Sequence, residues 1–255
     1  MLLTLLTDFG TADYYVAAVK GTILRLAPGT VLVDISHEVP PGDIETGSFL
    51  LRAAVPSFPD GTVHLAVIDP GVGSDRRILA VRTPAAYFVA PDNGLLTPFL
   101  DGVEVRSVER DELFLASPGQ TFHGRDRFAP IAASLLRGES LESLGPVIPD
   151  PVRLPFSPPA REPGRISGRV IHVDRYGNLV TDVPAAWLPA APCRAEVAGH
   201  ATSRRASHYA GIPPGEAAMI PGSLGTVELS LNGEDLARAW SVSRGAKVDI
   251  TWNGS

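Results

Sequence analysis

The sequence predicts an α/β amino-terminal domain, built on a central, largely parallel or mixed sheet, followed by a small all-β, barrel-like carboxyl-terminal domain. Three observations predict it. The first half alternates short β-rich runs with helical patterns, the mark of helices packed on a sheet. Residues 146–163 then hold seven prolines and little periodicity, so they continue neither a helix nor a central strand. The remainder is short strands broken by Gly and Pro with scarcely a helix between them.

In chain order, first-half strands are predicted over residues 2–6, 31–35, 62–68, 78–83 and 87–90. Between the first two, Val16, Val19, Ile23 and Leu26 recur at helical spacing, with Asp13 as the cap and Pro28-Gly29 ending the last turn, which makes a crossover helix. A second helix is predicted over 126–136. There Phe128, Ile131, Leu135 and Leu136 share a face, Gly138 follows as a stop, Asp126 serves as the cap, and Pro130 is tolerable in the first turn. The domain boundaries follow: 1–153 α/β, 154–164 a proline-rich linker, and 165–255 β, with strands over 169–173, 178–182, 194–197, 226–231 and 247–252.

Composition narrows the function. The chain has 255 residues, 44% of them hydrophobic and 20% charged, enough to bury a full core. Its formal net charge of -6 argues against a nucleic-acid or anionic-membrane partner. Cys193 is the single cysteine, so no internal disulfide forms, which fits a cytoplasmic location. The opening MLLTLLTDFG lacks a basic start and reaches Asp8 too early for a signal peptide. No run approaches the roughly 20 apolar residues of a membrane span.

Polar residues collect at strand ends. "LLTDFG", "AVIDPGVG" and "FVAPDNG" place Asp8, Asp69 and Asp92 with Asn93 after first-domain strands, where open α/β sheets bind ligands. Each taken alone is also good turn chemistry. "TFHGRDRFAP" adds His123 and Arg125 just before a helix start. In the second half "HVDRYGNLVTD" offers Asp174, Tyr176 and Asn178; an aromatic face with an amide suits a purine, although Gly177-Asn178 is equally a hairpin turn. Several motifs are missing. "DFG" at residue 8 has no kinase elements before it, "GVGSDR" lacks the third glycine of a dinucleotide fingerprint, GxxxxGK[ST] does not occur, and neither HExxH nor CxxC occurs, so no zinc site is readable.

These residues together resemble one family, the S-adenosylmethionine (SAM) hydroxide adenosyltransferases, or adenosine-forming SAM hydrolases, relatives of fluorinases and chlorinases. The resemblance is carried by "TDFGTADYYVAAVKG", "VDISHEVPPGDI", "HLAVIDPGVGSDRR", "YFVAPDNGLL", "FHGRDRFAP", "DRYGNLVTD" and "GSLGTVELSLN", in order over both halves. It implies attack on the ribose C5′ of SAM, releasing methionine and leaving adenosine. The family's Asp-Arg-His set falls on Asp69, Arg76 and His123, with Arg77 beside Arg76 as the other choice for the arginine. Its ribose aspartate falls on Asp8, and its adenine and methionine contacts fall near Asp174, Tyr176, Asn178 and Ser223. The resemblance further implies no cofactor and a homotrimer with sites between subunits. Fluorinases lack the Asp-Arg-His set, so water is expected over halide.

The chemistry is consistent with that set. A sulfonium is already a good leaving group, so the need is for a water held behind C5′ and partly deprotonated. Asp69 would do this, with Arg76 balancing its charge and His123 fixing a second hydrogen bond of the water or of Asp69. Two other classes use the same residues: a metal-dependent phosphohydrolase with Asp8, Asp69, Asp92, Asn93 and His123 as ligands, and a non-catalytic SAM or adenosine binder.

Overall fold

The computed structural model describes residues 1–116, 119, 121–155 and 157–253. It divides into two compact units, Met1–Pro155 and Phe156–Ser255. In the first, strands β1 (Leu2–Thr7), β2 (Val31–Ser36), β3 (Thr62–Val67), β4 (Ile78–Arg82), β5 (Ala86–Pro91) and β6 (Glu104–Ser107) form one sheet in the order β2-β1-β3-β5-β4-β6. The first four in that order are parallel; β4 runs antiparallel to both its neighbours, β5 and β6, so the sheet is mixed.

Both faces are covered, which is why the central strand is buried throughout and mostly apolar. All six residues of β3 are buried. Val63, Leu65 and Val67 join one core with helices α1 (Tyr15–Leu26) and α3 (Ala129–Leu136), while Ala66 and the following Ile68 join the opposite core with Leu51 of helix α2 (Ile44–Ala54). Thr7 stands opposite Val67, so Asp8 and Asp69 leave neighbouring strands at almost the same level.

Two local expectations are corrected. Asp13 does not cap α1; Tyr14 takes the cap position and makes no side-chain cap bond. Asp126 does not cap the later helix, because a π-type turn over Gly124–Phe128 precedes α3. Pro130 explains that turn. It has no N–H to give the Asp126 carbonyl, which instead accepts from Leu115 N at 2.9 Å, and the Ala129 N–H closes the wider ring to Gly124 O. Helix α2 was not expected. Asp43 caps it, accepting from Thr46 N at 3.1 Å and Thr46 Oγ1 at 2.7 Å. Gly47 interrupts its apolar pattern because a Cβ there would lie 2.8 Å from Ile68 Cδ1.

The second unit is an eight-stranded antiparallel sheet of β7 (Ala160–Glu162), β8 (Arg165–Val173), β9 (Leu179–Pro184), β10 (Cys193–Val197), β11 (His200–Thr202), β12 (Ala217–Pro221), β13 (Thr226–Leu231) and β14 (Lys247–Trp252). Its order is β11-β10-β14-β8-β9-β13-β12, with β7 added to β8 as a short edge strand inside the proline-rich segment. Thr202 Oγ1 donates to Ala217 O at 2.6 Å, drawing the two end strands together into a nearly closed barrel around Val170, Leu229 and Ile250. A single helical turn, α4 (Leu236–Ala239), lies between β13 and β14. Among the described residues no helix is long and apolar enough to cross a membrane.

Candidate active site

The carboxyl ends of β1 and β3 open into a cavity of about 400 Å³ lined by Asp8, Asp69 and His123 together with Phe9, Tyr14, Tyr15 and Phe122. Asp69 follows Ile68, the residue just after β3, and Pro70 and Gly71 turn the chain so that Arg76 comes back onto it. Arg76 Nε donates to Asp69 Oδ1 at 2.7 Å and Nη2 donates to Oδ2, a bidentate pair with side chains only 5% (Asp69) and 9% (Arg76) exposed. The same Nη2 lies 3.0 Å from His123 Nδ1. The guanidinium centre sits 5.0 Å from the Phe128 ring centroid, which fixes its plane.

This contact sets the histidine's tautomer. A guanidinium only donates, so Nδ1 accepts and the ring proton resides on Nε2. Burial, together with the positive charges of Arg127 and Arg76, lowers the His123 pKa from its ordinary value and keeps the ring neutral. Nε2 of His123 and Nη1 of Arg76 are both buried without a protein partner among the described residues, and of the two side chains His123 lines the cavity, where its Nε2–H is a donor left for a ligand. His123 bonds Arg76 rather than Asp69, a finer arrangement than the sequence suggested. Asp8 accepts from Gly42 N at 2.8 Å, and burial raises its carboxyl pKa.

Arg76 and Arg77 part company here. Arg77 Nε donates to Asp92 at 2.7 Å and its terminal nitrogens reach Asp150 Oδ1 and Asp150 O at 2.8 Å each. Asp92 also accepts from Val152 N at 2.7 Å, while Asn93 bridges Ile68 O and Leu95 N. Asp92 and Asn93 thus hold the chain and are not gathered with Asp8 and Asp69. Among the described residues no three or more His, Cys, Asp or Glu side chains stand in an arrangement able to hold a metal ion.

In the second unit, Asp174, Tyr176 and Asn178 line a cavity of about 630 Å³ with Tyr209, Asn232 and Asp235. Asp174 Oδ1 accepts from Tyr176 N and Asn178 N at 2.8 and 2.9 Å, and Oδ2 accepts from Asn178 Nδ2 at 2.8 Å. The turn and the pocket wall are therefore one structure. Gly177 must be glycine, at φ +80° with a Cβ position already filled by Asp235. Ser223 is exposed in the turn between β12 and β13 and does not line this cavity. Sequence reasoning missed Tyr209, whose hydroxyl donates to buried Glu228 at 2.8 Å. A lone acid in the strand-like run "TVELSL" was its only signal.

The family comparison divides the chain in the same two parts. Residues 3–145 match the SAM hydroxide adenosyltransferase N-terminal domain and residues 168–249 the corresponding C-terminal domain. The chain belongs to the SAM hydroxide adenosyltransferase family. It is 38% identical to an (R)-S-adenosyl-L-methionine hydrolase of Salinispora tropica over 96% of this chain and 95% of that one. With the enzyme of the same name from Thermus thermophilus it shares 37% over 96% and 97%. A fluorinase of an Actinoplanes species is 28% identical over 71% of each chain. Among solved structures, an uncharacterized conserved protein from Thermotoga maritima superposes with a TM-score of 0.92 at 35% identity, covering 99% of this chain and all of that one.

Proposed function

We propose that this protein hydrolyses S-adenosyl-L-methionine to adenosine and L-methionine. The observation that carries the reading is the buried Asp69–Arg76–His123 cluster, set at the cavity of a chain whose near full-length relatives are named (R)-SAM hydrolases. A water oxygen attacks C5′ opposite sulfur; the C5′–O bond forms, the C5′–S bond breaks with its electron pair going to sulfur, and one proton of the water is released. Methionine leaves as a neutral thioether and needs no acid. Asp69 takes the water's proton, because His123 Nε2, already protonated, can only donate. His123 instead donates to the oxygen and orients it, so that a lone pair points at C5′ while Asp69 draws off the proton.

Asp8 would hold the ribose hydroxyls, while Asp174, Tyr176 and Asn178 would take the adenine and methionine ends. The same reading includes a homotrimer, a cytoplasmic location, no cofactor beyond the substrate, and the R configuration at sulfur. Incubation with SAM of each sulfur configuration should release equal amounts of adenosine and methionine, faster from the R form and undiminished by EDTA. Absence of adenosine, loss of activity on chelation, or 5′-halo-5′-deoxyadenosine as the main product in concentrated halide would reject it.

A further inference from the structure

Four aromatic rings crowd the mouth of the first-unit cavity. Phe9 lies 6.1 Å from Phe122 and 6.2 Å from Tyr15, Tyr15 meets Phe122 edge-on at 5.1 Å, and Tyr14 lies 4.7 Å from Tyr15, all between ring centroids. Phe9 is held in place by Gly124, where even a Cβ would come within 3.1 Å of its ring. Packing alone does not explain the cluster. Tyr14 is 62% exposed and Tyr15 39%, and they occupy the start of α1, where a capping residue would satisfy the helix better. The cluster also engages a cation already, with the Arg125 guanidinium 5.0 Å from the Phe122 centroid.

We propose that Phe9, Tyr14, Tyr15 and Phe122 form a cation-binding wall for the substrate's sulfonium, so that positive charge at sulfur, and not the adenosyl group alone, governs binding in this cavity. The inference rests on SAM being the substrate. A sulfonium spreads its charge over the attached carbons and is weakly hydrated, as quaternary ammonium groups are, and such cations are the ones aromatic faces hold well. The nearby carboxylates are less free to serve it, since Asp69 is paired with Arg76 and Asp8 accepts from Gly42 N. When the C5′–S bond breaks, the charge leaves sulfur and the attraction ends. The wall therefore favours reactant over the neutral methionine product, and because it acts on the ground state it lowers KM without raising kcat.

The test compares full-length parent, Tyr14→Leu, Tyr15→Leu and Tyr15→Phe, checked by thermal unfolding, for calorimetric binding of SAM, of S-adenosylhomocysteine as the neutral thioether, and of an analogue with a protonated amine in place of the sulfonium. At least one leucine variant should lose about 5- to 20-fold in affinity for both cations but less than about twofold for the thioether, with KM for SAM rising and kcat within about threefold of the parent. Tyr15→Phe should keep the parent's preference. Equal losses for all three ligands, or an unchanged preference in both leucine variants, would overturn the wall. A parent that prefers SAM to the thioether yet releases no adenosine would instead reject the hydrolysis and leave the wall standing.

Discussion

At Asp69 both carboxylate oxygens are tied to one guanidinium, and each keeps a lone pair for a ligand. Asp69→Asn preserves the shape but removes the charge and turns one acceptor into a donor facing Arg76. Turnover should fall by about 100-fold or more, the usual scale for losing a general base, while SAM affinity measured by calorimetry changes modestly. Turnover within about threefold of the parent would make Asp69 a turn residue only. Sequence order alone did not distinguish Arg76 from Arg77, because adjacent residues differ only in which way the backbone turns them. The Asp92 and Asp150 contacts of Arg77 and the Asp69 contact of Arg76 make the distinction.

At the scale of elements, β1 and β3 carry a buried polar pair remote from the chemistry. His64 is 1% exposed, with Nδ1 2.7 Å from Thr4 Oγ1 and its ring stacked 5.0 Å from Phe88. Burial lowers its pKa to about 4 from an ordinary 6.5. The unfolded chain therefore takes up the proton first, so the stability associated with neutral His64 is full above about pH 6.5 and is lost as the pH falls towards 4. From those two pKa values the loss between pH 7.5 and pH 5 is about 2 kcal/mol. Urea unfolding of His64→Gln, which keeps a partner for Thr4, should show a pH dependence shallower by that amount; identical slopes would show that His64 does not govern it. Elements with strong periodicity, such as β1, β3 and α1, were legible in the sequence because burial on defined faces dictates their residues. Helix α2 was not, since Gly47 answers to Ile68 across space, β11 was not, since three residues carry too few alternations to register, and β12 was not, since its run AAMIP does not alternate polar and apolar residues. The pocket aromatic Tyr209 opens a 3-10 turn of three residues, too short to carry a periodic signal.

For the whole molecule, the proposed homotrimer predicts a sedimenting species of three times the chain mass that retains full SAM turnover on dilution; a fully active monomer would remove it. The ends of the first unit also carry a practical lesson. The family match for that unit stops at residue 145, yet Asp92 accepts from Val152 N, Thr97 Oγ1 accepts from Leu154 N at 2.8 Å, and Arg153 donates to Leu100 O at 3.0 Å. Residues that resemble a disposable proline-rich tether therefore act as a strap fastened across the back of the sheet's last turns. Anyone trimming this protein to its first half, or inserting a tag between the halves, should leave the strap intact and cut beyond Pro155, because an earlier cut strands the buried Asp92 carboxylate with half its partners gone.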